Sequence, residues 1–173
     1  MKKNDEYNTP TYAYIVLRHF LKPLDKKVIW DPFVGEDSDV EFQMKRLFPS
    51  CGSVIYNRTF DLMTDNIPFF DLIITNPPFS IKQQVLEKLF QLNKPFCVLL
   101  PIETLGRQYM RDHFVSLDSS LIDIVIPRRR IQYTNSKPGG KLNSPFHSVW
   151  FCYKMEKQED SSVHPLCTYY VDL

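Results

Sequence analysis

The sequence of 173 residues predicts an α/β fold with a largely parallel sheet. Two observations support this prediction: short apolar runs recur along the chain, and the segments between them carry helical periodicity. Strands that alternate with helices pair in parallel, because each helix returns the chain to the edge where the next strand begins. A chain of this length is expected to fold as a single domain, residues 1–173.

Five apolar runs are the predicted strands, and four segments between them are the predicted helices. The predicted strands are 28–30, 53–57, 71–75, 96–100 and 121–126. The predicted helices are 10–22, 37–47, 80–92 and 103–116. In the third helix, for example, Ile81, Val85 and Leu89 recur on one face and Lys82 and Glu87 lie on the other.

The pattern changes after residue 127. Residues 128–146 are basic, polar and rich in turn formers, which predicts a long loop. Residues 147–153 then return to an apolar strand, and 154–164 are polar and expected on the surface. Residues 165–173 are a candidate for one more strand.

The charge balance gives no global attraction to nucleic acid or to a membrane surface. The formal net charge is +1, and charged residues make up 24% of the chain. A nucleic-acid surface is therefore expected to be a local patch, since contacts to phosphates need clustered cations. The candidates are the basic residues of the predicted loop, namely Arg128, Arg129, Arg130, Lys137 and Lys141. The alternative is that this loop is simply solvated.

The cysteines, the histidines and the N-terminal residues indicate an intracellular protein without a metal site. The four cysteines form no C-x-x-C pair and the four histidines show no H-E-x-x-H spacing. Reduced thiols are expected in place of disulfides. The first ten residues lack the apolar segment of a signal peptide, and no run reaches the roughly 18 apolar residues of a membrane span. We therefore expect a soluble, cytoplasmic protein.

The turn after the third predicted strand has an unusual composition, Asn76-Pro77-Pro78-Phe79. Ligands bind α/β sheets where strands end. Proline nitrogens carry no hydrogen, so this turn presents carbonyl oxygens without competing N–H groups, and Asn76 adds a side-chain oxygen. Phe79 adds a face on which a planar ring can stack. The turn favours a planar ring that bears an NH₂ group, such as a nucleobase; the alternative is a proline turn that only ends the strand.

The same turn indicates a reaction at that NH₂ group. The amine of adenine or cytosine is a poor nucleophile, because its lone pair is delocalised into the ring. Two acceptors, the Asn76 side-chain oxygen and the Pro77 carbonyl, would draw both N–H bonds out of the ring plane and localise the lone pair. An electrophile held in line at about 3–3.5 Å would then react readily. Asn76 is a poor proton acceptor, so general-base catalysis is not expected.

The turn resembles motif IV of the amino-methyltransferases, and other segments resemble further motifs of that family. Asp31-Pro32-Phe33-Val34-Gly35 is similar to motif I of DNA adenine methyltransferases. Thr9-Pro10 and the helix after it resemble motif X, and Asp61-Leu62 resembles motif III. Residues 96–101 fit motif VI, and 128–146 leading into 147–153 are similar to motif VIII. The resemblance covers about residues 7–153.

The resemblance implies a Rossmann-like class I methyltransferase fold, with a mostly parallel seven-stranded sheet, an antiparallel last strand and helices on both faces. It implies S-adenosylmethionine as cofactor and the N6 amine of adenine in DNA as target. The implied catalytic residues are Asn76, Pro77, Pro78 and Phe79. The implied cofactor-binding residues are Thr9, Pro10, Asp31, Pro32, Phe33, Gly35, Asn57, Asp61, Leu62 and Asn76. Tyr133, Phe146 and His147 are further candidates for holding the target base.

The chain departs from the family in two places. There is too little room between motifs I and IV for a target recognition domain and none follows, so a partner protein is a candidate source of target recognition. Asn57 stands where the family usually has an acidic residue for the ribose hydroxyls. The alternatives left open are an RNA adenine-N6, DNA cytosine-N4 or protein glutamine methyltransferase, and a non-catalytic subunit that keeps the fold.

Overall fold

A seven-stranded sheet organises the part of the chain that this computed structural model describes, residues 9–34, 39–56, 66–116, 121–134, 141–142, 146–158 and 168–171. Its strands are β1 Val28–Asp31, β2 Ser53–Tyr56, β3 Leu72–Thr75, β4 Phe96–Pro101, β5 Ile122–Pro127, β8 Ser148–Tyr153 and β9 Thr168–Val171. Two short strands, β6 Tyr133–Thr134 and β7 Lys141–Leu142, form a separate antiparallel ribbon. The helices are α1 Thr11–Phe20, α2 Val40–Leu47, α3 Lys82–Leu92 and α4 Gln108–Ser116.

The strand order in the sheet is β2-β1-β3-β4-β8-β5-β9. β8 pairs antiparallel with both β4 and β5, and all other neighbours in this sheet are parallel. The prediction of a mostly parallel, Rossmann-like sheet is confirmed. The antiparallel strand is not the last one, however, because β9 follows it and pairs with the outer edge of β5. Without β9, the outer edge of β5 would present unpaired backbone N–H and C=O groups.

Helices cover both faces of the sheet. Trp150 of β8 donates a hydrogen bond from Nε1 to the Ala13 carbonyl of α1 at 2.9 Å. Tyr153 of the same strand packs against Phe90 of α3, with ring centroids 5.3 Å apart. Side chains three positions apart on a strand point to opposite faces. α1 and α3 therefore lie on opposite sides of the sheet, as predicted.

The core is centred on the middle strands, where every residue of β3, β4 and β8 is buried. Strands buried on both faces lose the polar alternation of a surface strand, which is why they read as continuous apolar runs. Cys97 and Cys152 face each other across β4 and β8 as buried free thiols, while Cys167 lies outside the described residues. None of the described helices is long and apolar enough to cross a membrane.

Candidate active site

β1 and β3 are parallel neighbours, so their carboxyl ends lie side by side. Asp31, the last residue of β1, is 3% exposed and accepts two hydrogen bonds on Oδ1. Thr75, the last residue of β3, donates one from its hydroxyl at 2.6 Å, and the Phe33 backbone N–H donates the other at 3.1 Å. We call this side of the sheet the carboxyl edge.

Asp31 is a buried carboxyl group whose pKa rises from 3.8 to about 6. Burial raises the pKa because it disfavours the charged form, and the hydrogen bonds from Thr75 and Phe33 only partly oppose this. At neutral pH the group is ionised despite its burial. A buried negative charge at the end of a strand is a common mark of a functional site.

The Asn76-Pro77-Pro78-Phe79 turn continues directly from β3 at the carboxyl edge. Pro77 is buried, and Pro78 is extended before a 3₁₀ turn at Phe79–Ile81 leads into α3. The Asn76 amide donates from Nδ2 to the hydroxyl of Thr9 at 2.9 Å. Thr9 precedes α1 and stands 67 positions away in sequence. The structure thus brings together Thr9, Asp31 and Asn76, which belong to three separate motifs in the sequence.

Phe79 lies in a cluster of three aromatic rings. Its ring centroid is 5.1 Å from that of Phe146 and 6.2 Å from that of Tyr133, both in edge-to-face geometry. Tyr133 is fully buried and donates from its hydroxyl to Ser148 Oγ at 2.6 Å, whereas Phe146 is half-buried. With 7% of its own surface exposed, Phe79 can receive another ring only if one neighbour shifts. The half-buried Phe146 is the neighbour placed to do so.

The other predicted cofactor residues fall into two groups. Pro10 is the N-cap residue of α1, where its carbonyl accepts from the Ala13 N–H at 2.9 Å, and Pro32 is buried directly after Asp31. Phe33 is half-buried. The residues that lie outside the described ranges are Gly35, Asn57, Asp61 and Leu62.

The basic loop begins at the carboxyl edge. β5 is antiparallel to β8 and β8 is antiparallel to β4, so β5 runs in the same direction as β4 and ends at the same edge. Arg128, Arg129 and Arg130 follow β5 and are exposed. The Gln132 backbone N–H donates to the Tyr12 hydroxyl at 2.6 Å, which ties this loop to α1. The last two residues of the predicted patch are Lys137, outside the described ranges, and Lys141, whose backbone alone is described.

Two residues of the site were not identified from the sequence. Thr75 is fully buried and contacts Asp31, and Tyr14 is 3% exposed and lies in α1, five positions after Thr9. Each of these two residues places a hydroxyl group in an otherwise apolar strand or helix face. That pattern could have indicated the site, because a buried hydroxyl needs a hydrogen-bonding partner.

His147 contacts the Pro127 carbonyl through Nε2 at 2.8 Å, so it helps to hold the start of the basic loop. Among the described residues, no group of His, Cys, Asp and Glu side chains forms a candidate metal site.

No protein-family model matches the chain, and no curated protein matches it. Solved structures are similar to it in fold. The M protein of the type I restriction enzyme EcoKI superposes with a TM-score of 0.52 and 16% identity over 99% of this chain and 49% of that protein. A precorrin-6y C5,15-methyltransferase from Geobacter metallireducens GS-15 gives 0.48 and 14%, over 86% of this chain and 93% of that one.

The chain therefore has the Rossmann-like fold found in methyltransferases. It spans about half the length of the EcoKI M protein. Because one fold hosts many activities, this similarity establishes the architecture, and the function has to be argued from the site.

Proposed function

We propose that this chain is an S-adenosylmethionine-dependent methyltransferase that acts on the exocyclic N6 amine of adenine in DNA. The observation that carries the proposal is the meeting of Thr9, Asp31 and the Asn76 turn at one edge of a methyltransferase-like sheet. The hydrogen bond between Thr9 and Asn76 joins two motifs that are 67 positions apart in sequence, and the hydrogen bond between Thr75 and Asp31 joins the third motif to them.

The residues at the carboxyl edge fit the proposed cofactor chemically. S-adenosylmethionine carries an ammonium and a sulfonium group, and when bound it supplies an electrophilic methyl group. Asp31 offers a buried carboxylate, ionised above about pH 6, that is bonded to Thr75 directly before the Asn76 turn. A buried carboxylate that is only partly satisfied by hydrogen bonds favours a cationic ligand.

The remaining cofactor contacts are proposed from the motif resemblance. Thr9, Pro10, Pro32, Phe33 and Gly35 would surround the methionine part. Asn57, Asp61 and Leu62 would contact the ribose and the adenine.

Asn76 and Pro77 would hold the target amine. Each presents an oxygen acceptor. Pro77 and Pro78 have no backbone N–H group, so neither can occupy these oxygens as a competing donor. Two acceptors on one NH₂ group draw its hydrogens out of the ring plane and restore the nitrogen lone pair. Because an amide oxygen is a weak base, Asn76 orients the amine without taking its proton, which leaves to water.

Phe79 would stack on the target base. The base has to be extruded from a duplex to reach the turn, as in other enzymes that modify bases. On the geometry of the aromatic cluster, Phe146 would shift and leave the face of Phe79 open to the base, while the buried Tyr133 stays fixed by Ser148.

DNA is favoured over a small-molecule target by the position of the arginine run. Arg128, Arg129 and Arg130 are exposed and begin at the same edge as Asn76, so phosphates flanking an extruded base would lie within reach of them. A partner protein that supplies target recognition is part of the proposal. The EcoKI M protein, which shares the fold, belongs by its name to a restriction enzyme.

The test is methyl transfer from a labelled donor to DNA, RNA and protein acceptors, followed by digestion of the labelled acceptor. Label on N6-methyladenine from DNA supports the proposal. Label on RNA or on cytosine moves the activity to another substrate of the same site. Label in protein alone refutes it in favour of a protein methyltransferase. No cofactor binding by calorimetry also refutes it, and leaves a non-catalytic subunit.

Asn76→Ala separates catalysis from binding. We expect turnover to fall roughly 10²–10³-fold, the range seen when one preorganised hydrogen-bonding group is removed from an active site. Cofactor affinity should change less than about threefold. The matched control is Asn66→Ala, because Asn66 is exposed and precedes β3 at its amino end. An Asn76→Ala protein with normal turnover would contradict the assigned role.

A further inference from the structure

A groove lies between α1 and α2, on one side of the sheet. Its volume is about 610 Å³. The residues that form its walls and floor include Tyr12, Ile15, Arg18 and His19 of α1 and Arg46 and Leu47 of α2. Spacings of three and four residues place the α1 members on one helix face. We call this feature the α1–α2 groove, and it follows the axis of α1 for about 10 Å.

The α1–α2 groove carries positive charge. Arg18 and Arg46 are exposed, and none of the described residues that line the groove is Asp or Glu. Within the part of the chain that the structure describes, neither arginine has an acidic side chain as an ion-pair partner. Glu41 of α2 is paired with Lys45 instead, at 2.7 Å. Both arginine charges are therefore available to an anionic ligand.

One end of the groove meets the basic loop at the carboxyl edge. The Tyr12 hydroxyl accepts a hydrogen bond from the Gln132 backbone N–H at 2.6 Å. Arg130 is two residues before Gln132, so their Cα atoms lie within about 7 Å of each other. Thr9, which contacts Asn76, is three residues before Tyr12. The cations of the loop and of the groove therefore form one track that begins beside the Asn76 turn.

A ligand that follows this track has to carry several negative charges in a row. Arg18 is nine positions after Thr9, which is about 14 Å along the helix direction. One strand of a DNA duplex advances about 3.4 Å per phosphate, so Arg18 would be reached roughly four nucleotides from the target base. A small anion would occupy one point of the track and leave the remaining cations without a partner.

We infer that the α1–α2 groove binds the sugar-phosphate backbone of the DNA that flanks the target adenine, with Arg18 and Arg46 on its phosphates. This inference rests on the proposed function. It adds a DNA contact surface outside all of the motifs, and one that is independent of base sequence because phosphates carry no sequence information.

The first test measures binding of a labelled DNA duplex by fluorescence anisotropy at a series of salt concentrations. Each phosphate contact contributes about 0.9 to the slope of log K against log salt, which is roughly eightfold in affinity at 0.1 M salt. We expect Arg18→Gln and Arg46→Gln each to lose about that much, and the double variant to lose roughly 60-fold. The matched control is Lys88→Gln, which removes one positive charge from α3 on the opposite side of the sheet and should stay within about twofold. Thermal unfolding of each variant shows that it is folded.

The second test locates the contact relative to the target base. Two duplexes of equal length carry a single adenine close to one end or close to the other, and KM for methylation is measured on each. Because the groove leads away from the Asn76 turn in one direction, Arg18→Gln should raise KM for one duplex about eightfold and leave KM for the other within about twofold.

The inference is overturned if Arg18→Gln and Arg46→Gln bind DNA as tightly as Lys88→Gln does, which would leave the groove to an acidic protein partner. It is also overturned if Arg18→Gln changes KM equally for both duplexes. A wild-type protein that binds DNA but methylates none refutes the proposed function, while the anisotropy of the variants still decides whether the groove binds DNA. A wild-type protein that binds no DNA overturns both.

Discussion

Ionisation of the buried Asp31 carboxyl group destabilises the folded protein. The Asp31→Asn variant, which cannot ionise at this position, should reveal this as a pH-dependent difference in stability from the wild type. The pKa of Asp31 is raised from 3.8 to about 6, so the folded state binds this proton more tightly than the unfolded state does. The stabilising contribution of the group is therefore fully present below about pH 4 and is lost as pH rises through 6. At 1.36 kcal/mol per pKa unit, the full loss is about 3 kcal/mol.

The measurable part of this loss lies between pH 5 and pH 7.5, where it is on the order of 1 kcal/mol. Asparagine has the same shape, and its oxygen can still accept from Thr75 and from the Phe33 N–H. The variant lacks the ionisation, so the difference in unfolding free energy, variant minus wild type, should grow by that amount. Urea unfolding at a series of pH values measures it, and the contributions of all other groups cancel.

Thr75→Val provides a second check on Asp31. The Thr75 hydrogen bond lowers the pKa of Asp31, so removing it should move the pH-dependent step in stability upward. A difference between Asp31→Asn and wild type that is constant across this pH range, or that shrinks as pH rises, would refute the reasoning.

Two further predictions concern packing. In Gly52→Ala the new Cβ would lie 2.6 Å from the Lys26 carbonyl oxygen, so we expect a loss of about 1–3 kcal/mol in urea unfolding. Gly106→Ala meets no atom within 4 Å and should stay within about 0.5 kcal/mol, and equal costs at both positions would contradict this. Trp150→Phe removes the donor to the buried Ala13 carbonyl and leaves a void, so we expect a loss of about 2–4 kcal/mol; a loss below about 0.5 kcal/mol would show that the contact is unimportant.

The sequence predicted the parallel strands well because the sheet is covered on both sides. β3 and β4 are buried at every position, so they appear in the sequence as apolar runs whose ends lie close to the observed ends. The place of β9 beside β5 was not predicted. That pairing depends on which edge of β5 stays unpaired once β8 lies between β4 and β5, and no local pattern of residues predicts it.

The candidate site was predictable to the extent that it is built from strand ends. Asp31 and Asn76 were both expected at the carboxyl edge, because parallel strands end on the same side. The contact between Thr9 and Asn76 depends on how α1 packs against β8. Thr9 and Asn76 are 67 positions apart, so no local pattern of residues predicts that their side chains are in contact.

Strand β5 has both of its neighbours, β8 and β9, later in the chain. During synthesis, β1 to β4 can pair among themselves as soon as they are made, whereas β5 waits for its first partner. The roughly 26 residues from Pro127 to Tyr153 take on the order of 1–5 s to be translated. Over that interval the nascent chain carries three unpaired strand edges, one on β4 and two on β5. A product truncated before β8 would keep all three and should aggregate.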